Sequence, residues 1–330
     1  MPKINSLYEL IKQKSQEKNR SLRVIADWDD CLQPLKPAIF HKMSQSKVPF
    51  SSFFEIFWEN CNINPSSAGG FREKDNLEHD EKLRSAIKEY HEIRERMKKD
   101  PNYFGDFAKT FYGTEGRFSV PLTSIAKELL QCLKEGLVSE LVVISSFKWE
   151  DTPEDRKIDL ADNDGKRNKV ERTFGRFPIT KFELTEVKEN KEGKLTPYRW
   201  DRIKEICPDF DIFVDDSTAA ISGTRKKFHS EDKTYVFPDY APTRKLKAPD
   251  IYHVKTTVSD LTDEDFVKAA EEYKAQKEQE LATRRAQQPD QERERESLWK
   301  QSYLYLAFAS GLVGGWFVCF LINKKNKMRS

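Results

Sequence analysis

Three apolar runs in this chain end in polar residues of one chemical kind. LRVIA (22–26) leads into Asp27, Trp28, Asp29, Asp30 and Cys31. ELVVI (140–144) leads into Ser145 and Ser146, and DIFV (211–214) leads into Asp215, Asp216 and Ser217. Two carboxylates at i and i+2 after a strand project to the same side. Groups at the carboxyl ends of neighbouring parallel strands converge on one crevice. Acids brought together from two strands repel, and one of them must take up a proton unless a cation neutralises the cluster. A donor set made of hard oxygens suits Mg2+. Taken singly, each aspartate is explained by a turn or a helix cap. Asp27, Asp29, Asp215 and Asp216 together at strand ends are read as a site.

The elements that must position these residues alternate. The runs at 22–26, 140–145, 181–187, 211–215 and 234–238 are rich in β-branched and aromatic residues and predict strands. Between them, residues 122–135 predict a helix, with Ile125, Leu129, Leu130 and Leu133 at helical spacing and Gly136 as its stop. A second helix is expected over 198–206. Strands alternating with helices imply an α/β fold with a Rossmann-like parallel sheet. Residues 33–119 break the alternation with a mainly helical pattern and are read as an insert. The core is therefore expected from 1–32 and 120–258. The polar stretch 148–169 is read as a solvated loop. The aromatics Phe50, Phe53, Phe54, Phe57 and Trp58 follow the spacing of a packed helix face.

The ordered motifs resemble the haloacid dehalogenase superfamily. That family's first motif is an apolar strand ending in Asp-x-Asp, matched by Asp27 and Asp29. Its second is a strand ending in Ser or Thr, matched by Ser145, and its fourth is a strand ending in acids, matched by Asp215 and Asp216. Its third is a lysine upstream of the fourth. Lys194, in GKLTPYRW, suits it best, with Lys188, Lys191 and Arg199 as rivals. The resemblance spans about residues 22–238 and implies a Mg2+-dependent phosphomonoester hydrolase. Asp27 would be the nucleophile that forms an aspartyl-phosphate, and Asp29 the general acid and then base. Ser145 and Lys194 would hold the phosphoryl group. Asp27, the backbone carbonyl of Asp29 and Asp216 would hold the metal, with Asp215 in support. The insert at 33–119 corresponds to the family's C1 cap and favours a small phosphorylated substrate, with a weak pointer to nucleotides. The family usually places Thr or Val where this chain has Cys31, which is read as a small buried residue.

Composition narrows the partners. The net charge is +2, with no basic excess to suggest nucleic acid. The five cysteines and five histidines are scattered without zinc-ligand or disulfide spacing. The longest uncharged run, 303–322, has the length of a bilayer span and is followed by Lys324, Lys325, Lys327 and Arg329. It is expected to be a transmembrane helix with the basic tail 323–330 beyond it. Residues 259–302 would be a charged, solvated helical stalk. The polar residues 1–20 carry no secretory signal, so the catalytic part is expected in the cytosol, on the outer mitochondrial or endoplasmic reticulum membrane. The charge bias alone would keep the tail inside and so opposes that orientation. Oligomeric state is not legible. Two alternatives are carried: a catalytically silent, membrane-tethered binding module with the same fold, and a phosphoprotein phosphatase.

Overall fold

The computed structural model describes residues 6–44, 49–54, 119–147, 153–189, 195–197, 199–228, 232–239 and 248–284, with a few isolated positions between 92 and 116. The strands are β1 (Leu22–Asp27), β2 (Val138–Phe147), β3 (Thr180–Glu189), β4 (Leu195–Pro197), β5 (Ile212–Val214), β6 (Thr234–Asp239) and β7 (Ile251–Lys255). The helices are α1 (Leu7–Lys18), α2 (Leu35–Ser44), α3 (Ser124–Lys134), α4 (Pro153–Arg172), α5 (Arg199–Ile206), α6 (Thr218–Lys227) and α7 (263–284). The chain divides into two units, Met1–Tyr273 and Lys274–Ser330.

The first unit is built on one sheet of order β4-β3-β2-β1-β5-β6-β7. All neighbours are parallel except β3 and β4. This is the Rossmann-like α/β architecture expected. The chain moves outward from β1 through β2 to β3, then crosses back to β5 on the other side of β1. Order reverses at β1, so the crevice lies at the carboxyl ends of β1, β2 and β5.

Alternation along the strands sends side chains to two cores. Leu22, Val24 and Ala26 of β1, Leu141 and Val143 of β2, and Ile212 and Val214 of β5 pack with α1, α3 and the start of α7. Ile25, Val142, Ile144 and Phe213 pack on the opposite face with Ile203 of α5 and Ala220 and Ile221 of α6. Each such fully buried aliphatic or aromatic side chain contributes about 1.5–3 kcal/mol. Strands buried on both faces read as unbroken apolar runs, which is why these were visible in the sequence. Helix α3 ends where Gly136 adopts φ +66°, a conformation that costs glycine nothing.

Two expectations are corrected. The stretch 148–169 is not a solvated loop, since most of it forms α4, whose Asn163, Lys166, Lys169 and Val170 are buried at helical spacing. The helix after residue 259 is not a solvated stalk in its first part. Phe266, Ala269 and Tyr273 are buried, with the Phe266 ring 5.1 Å from Phe174 and Tyr273 5.6 Å from Phe177. Within the insert, Phe53 and Phe54 are buried, and His41 packs edge-on against Phe50 and Phe53; Phe57 and Trp58 lie outside the described residues. No helix among the described residues is long and apolar enough to cross a membrane, and residues 303–330 lie outside them.

Candidate active site

Asp27 is the last residue of β1 and shares the sheet face of Ile25, two positions earlier. Asp215 follows β5 and shares the face of Phe213. Carboxylate oxygens of Asp27, Asp215 and Asp216 lie within 4.8 Å of one another. Asp215 is fixed by its own chain: its N–H donates to the Val236 carbonyl (3.1 Å), and its Oδ1 accepts from the Ser217 N–H (2.8 Å). Ser217 then caps α6.

Beyond Asp27 the chain makes a tight turn. The Trp28 N–H donates to Ile144 (2.9 Å), and the Leu32 and Gln33 N–H groups return to the Trp28 carbonyl (3.0 and 2.9 Å). Asp30 sits at φ +59°, a left-handed conformation that aspartate tolerates better than most residues. The turn is tied to the start of α3, because the Thr123 hydroxyl donates to the Cys31 carbonyl (2.7 Å) and the Thr123 N–H to Leu32 (2.9 Å). Cys31 is fully buried, and burial with the nearby Asp27, Asp216 and Asp215 charges pushes its thiol well up. It is an inert, small core residue, as its burial requires.

Two cations reach the acids from opposite faces of the sheet. Arg199, the first residue of α5, comes from the Ile25 face. Its Nη2 lies 2.9 Å from Asp27 Oδ1, its Nη1 bonds Asp215 Oδ2, and its Nε donates to Ser146 Oγ (2.8 Å). Lys166 of α4 comes from the other face. Its Nζ lies 2.9 Å from Asp29 Oδ2 and donates to the Ser146 carbonyl (3.0 Å). The Ser145 hydroxyl donates to the same Asp29 oxygen (3.2 Å). Strand alternation explains the division: Ser145 and Ser146 of β2 point to opposite faces, one towards Asp29 and the other towards Arg199.

The structure thus brings together Asp27, Asp29, Ser145, Asp215 and Asp216. Lys194 and Lys191 lie outside the described residues, and the side chain of Lys188 is not described. Arg199, a named rival, is the basic group beside Asp27. Lys166 was not anticipated. Its only sequence signal was the spacing of polar residues along α4, which hydropathy does not register.

Burial pushes the Asp27 carboxyl up to about 8; Arg199 opposes this, while Asp215 and Asp29 add to it. Burial likewise raises Asp215 to about 6 against the pull of Arg199. Burial alone would lower the Arg199 guanidinium, but Asp215, Asp27 and Asp216 outweigh it and hold it raised. Asp27 Oδ1 is buried with no hydrogen bond of acceptable geometry, although Arg199 Nη2 is close. Clustered acidic oxygens and an orphaned carboxylate oxygen fit a hard divalent cation.

A doubly wound α/β domain with an acidic cluster at its topological switch point is the class of protein that fold and site define. No family model matches the chain, and no curated protein matches it at a significant level. Among solved structures, one that is similar is a haloacid dehalogenase-like family hydrolase from Xanthomonas campestris. It is 10% identical, with 78% of this chain and 97% of that one covered and a TM-score of 0.31. Another is the HAD-hydrolase YfnB of Bacillus subtilis bound to magnesium, 13% identical over 72% of this chain and 94% of that one, at a TM-score of 0.30. At these scores neither likeness carries weight beside the strand order and the side-chain geometry.

Proposed function

We propose that the chain is a magnesium-dependent phosphomonoester hydrolase of the haloacid dehalogenase type. The observation that carries this reading is the charge balance at the switch point. Four carboxylates (Asp27, Asp29, Asp215 and Asp216) face two buried cations (Arg199 and Lys166), a deficit that one divalent ion fills. Asp27, Asp215 and Asp216 would hold Mg2+, with the Asp29 backbone carbonyl in support. When bound, the ion draws charge from the phosphoryl oxygens and keeps its carboxylates ionised.

The chain's own residues do the rest. An Asp27 oxygen bonds phosphorus as the ester oxygen leaves, and that oxygen takes a proton from Asp29. Water then attacks the aspartyl-phosphate and gives a proton back to Asp29, releasing phosphate and restoring Asp27. Ser145 donates to a phosphoryl oxygen, and Arg199 balances charge on Asp27. Lys194 is retained as a further cation for the phosphate. The insert at 33–119 closes over the site and favours a small substrate, nucleotide-like in the first instance. Residues 303–322 anchor the protein in a membrane with its catalytic part cytosolic, and deleting 303–330 should release it to the soluble fraction.

The test uses the full-length protein and its Asp27→Asn variant. Phosphate release is measured from nucleotides, sugar phosphates, lipid headgroup phosphates and phosphopeptides, with Mg2+ or with chelator. Magnesium-dependent release that falls about 10³-fold or more in the variant is expected. Full activity in Asp27→Asn would refute the mechanism. One observation favours a catalytically silent binding module: Arg199 contacts oxygens of both Asp27 and Asp215, the acids that a metal would share. No release from any compound would select that reading.

A further inference from the structure

We infer that Lys166 is a positioning residue that aims the Asp29 carboxylate at the leaving oxygen; this rests on the phosphohydrolase reading above. Asp29 follows β1 in a turn whose backbone bridges to Gln33. Its orientation comes from two donors on one oxygen. Lys166 Nζ lies 2.9 Å from Oδ2, and the Ser145 hydroxyl donates to Oδ2 at 3.2 Å. With Oδ2 held twice, the proton to be transferred resides on Oδ1, and the plane of the carboxylate is set.

Lys166 is itself held. Its side chain is 5% exposed, and its Nζ also donates to the Ser146 carbonyl at 3.0 Å. Lysine is rarely buried to this degree unless paired, and its removal would free a carboxylate that is 23% exposed to swing towards water. The two cations have separate work. Arg199 serves Asp27 and Asp215 from one face of the sheet, and Lys166 serves Asp29 from the other. Each member of the Asp-x-Asp pair thereby has its own cation, delivered by a different helix.

Proton delivery matters most when the leaving group is a poor one, and that sets the experiment. Full-length wild type, Lys166→Met and Lys166→Arg are compared on p-nitrophenyl phosphate, whose leaving group departs unprotonated, and on glycerol 2-phosphate, whose alkoxide must be protonated. The expected result is a loss in kcat/KM, which reports transfer of the phosphoryl group to Asp27, of about 10²-fold or more on glycerol 2-phosphate and a far smaller loss on p-nitrophenyl phosphate. Lys166→Arg should recover part of the first loss. An equal loss in kcat/KM on both esters in a variant with wild-type thermal melting would overturn the inference and leave the hydrolase reading intact. Should Lys166→Met fail to fold, the same ratio is read from Lys166→Gln. Wild type inactive on every phosphomonoester would overturn the function and this inference with it.

Discussion

Binding of Mg2+ to this site should expel about one proton at pH 7. The cluster without a cation is arranged to hold one, because burial pushes Asp27 to about 8 and Asp215 to about 6. At pH 7 the coupled pair keeps about one proton between its two carboxyls, while a bound divalent cation requires both ionised. The sign follows from raised values: the pair's proton is held at neutral pH and lost as pH rises through about 8, so release should shrink towards zero above that. Affinity should then climb about tenfold per pH unit near neutrality and level off above pH 8. Calorimetric titration of Mg2+ into the full-length protein, in two pH 7 buffers of different ionisation enthalpy, reads the proton count directly. Arg199→Met should increase it, because the guanidinium pulls the Asp27 value down. Binding heats that are the same in both buffers would refute the reasoning and mean that Arg199 already keeps Asp27 ionised.

Three further perturbations test the frame around the site. A Cβ on Gly223 would meet Trp200 Cζ3 at 2.7 Å, so Gly223→Ala should destabilise by about 1–3 kcal/mol and lower activity by shifting the neighbouring Arg199; helix propensity alone predicts a gain, and thermal melting decides. Burial would raise Asp211, but Arg20, Lys18 and the Arg23 N–H outweigh it and hold its carboxyl low. A depressed carboxyl contributes stability above its unfolded value, so Asp211→Asn should cost about 1–3 kcal/mol at pH 7, a gap that denaturant melts should see close as pH falls below about 4. Phe266→Ala should cost about 3–5 kcal/mol by chemical denaturation, against less than about 0.5 for exposed Leu281→Ala.

The sheet was legible because each central strand is buried on two faces. Burial on both sides gives β1, β2 and β5 nearly unbroken apolar runs, whereas β3 alternates Phe182 and Leu184 with polar residues and declared itself, like β6, by its β-rich composition. β7 did not: IYHVK carries polar residues at alternate positions, as an edge strand does. Helix α1 was passed over because only Leu7, Leu10 and Ile11 are buried in an otherwise charged segment. The start of α7 was taken as solvated because Phe266, Ala269 and Tyr273 are spread among charges that do face water. Sparse apolar anchors on a charged helix fall below what periodicity can detect.

The acids of the site were legible for a different reason: each follows directly from a strand, so sequence adjacency and sheet order bring them together. The cations were legible only in part, with Arg199 one of four candidates and Lys166 unseen, because nothing in a strand points to the helix that will supply the counter-charge. Lys166 sits in a helix whose inward stripe runs Asn163, Lys166, Lys169 and Val170, polar at three of four steps. That stripe is polar because it faces Asp29, 2.9 Å from Lys166, and the start of α7, where Lys169 lies 3.4 Å from Asp263. A helix that buries charge against charge has the hydropathy of a loop, and only the three-dimensional placement of Asp29 reveals its function. The same physics limits the choice of basic residue beside Asp27. Spacing admitted Lys194 and Arg199 alike, whereas a guanidinium can serve Asp27, Asp215 and Ser146 at once through its planar fork. A lysine ammonium at position 199 would keep the charge but lose that simultaneous reach.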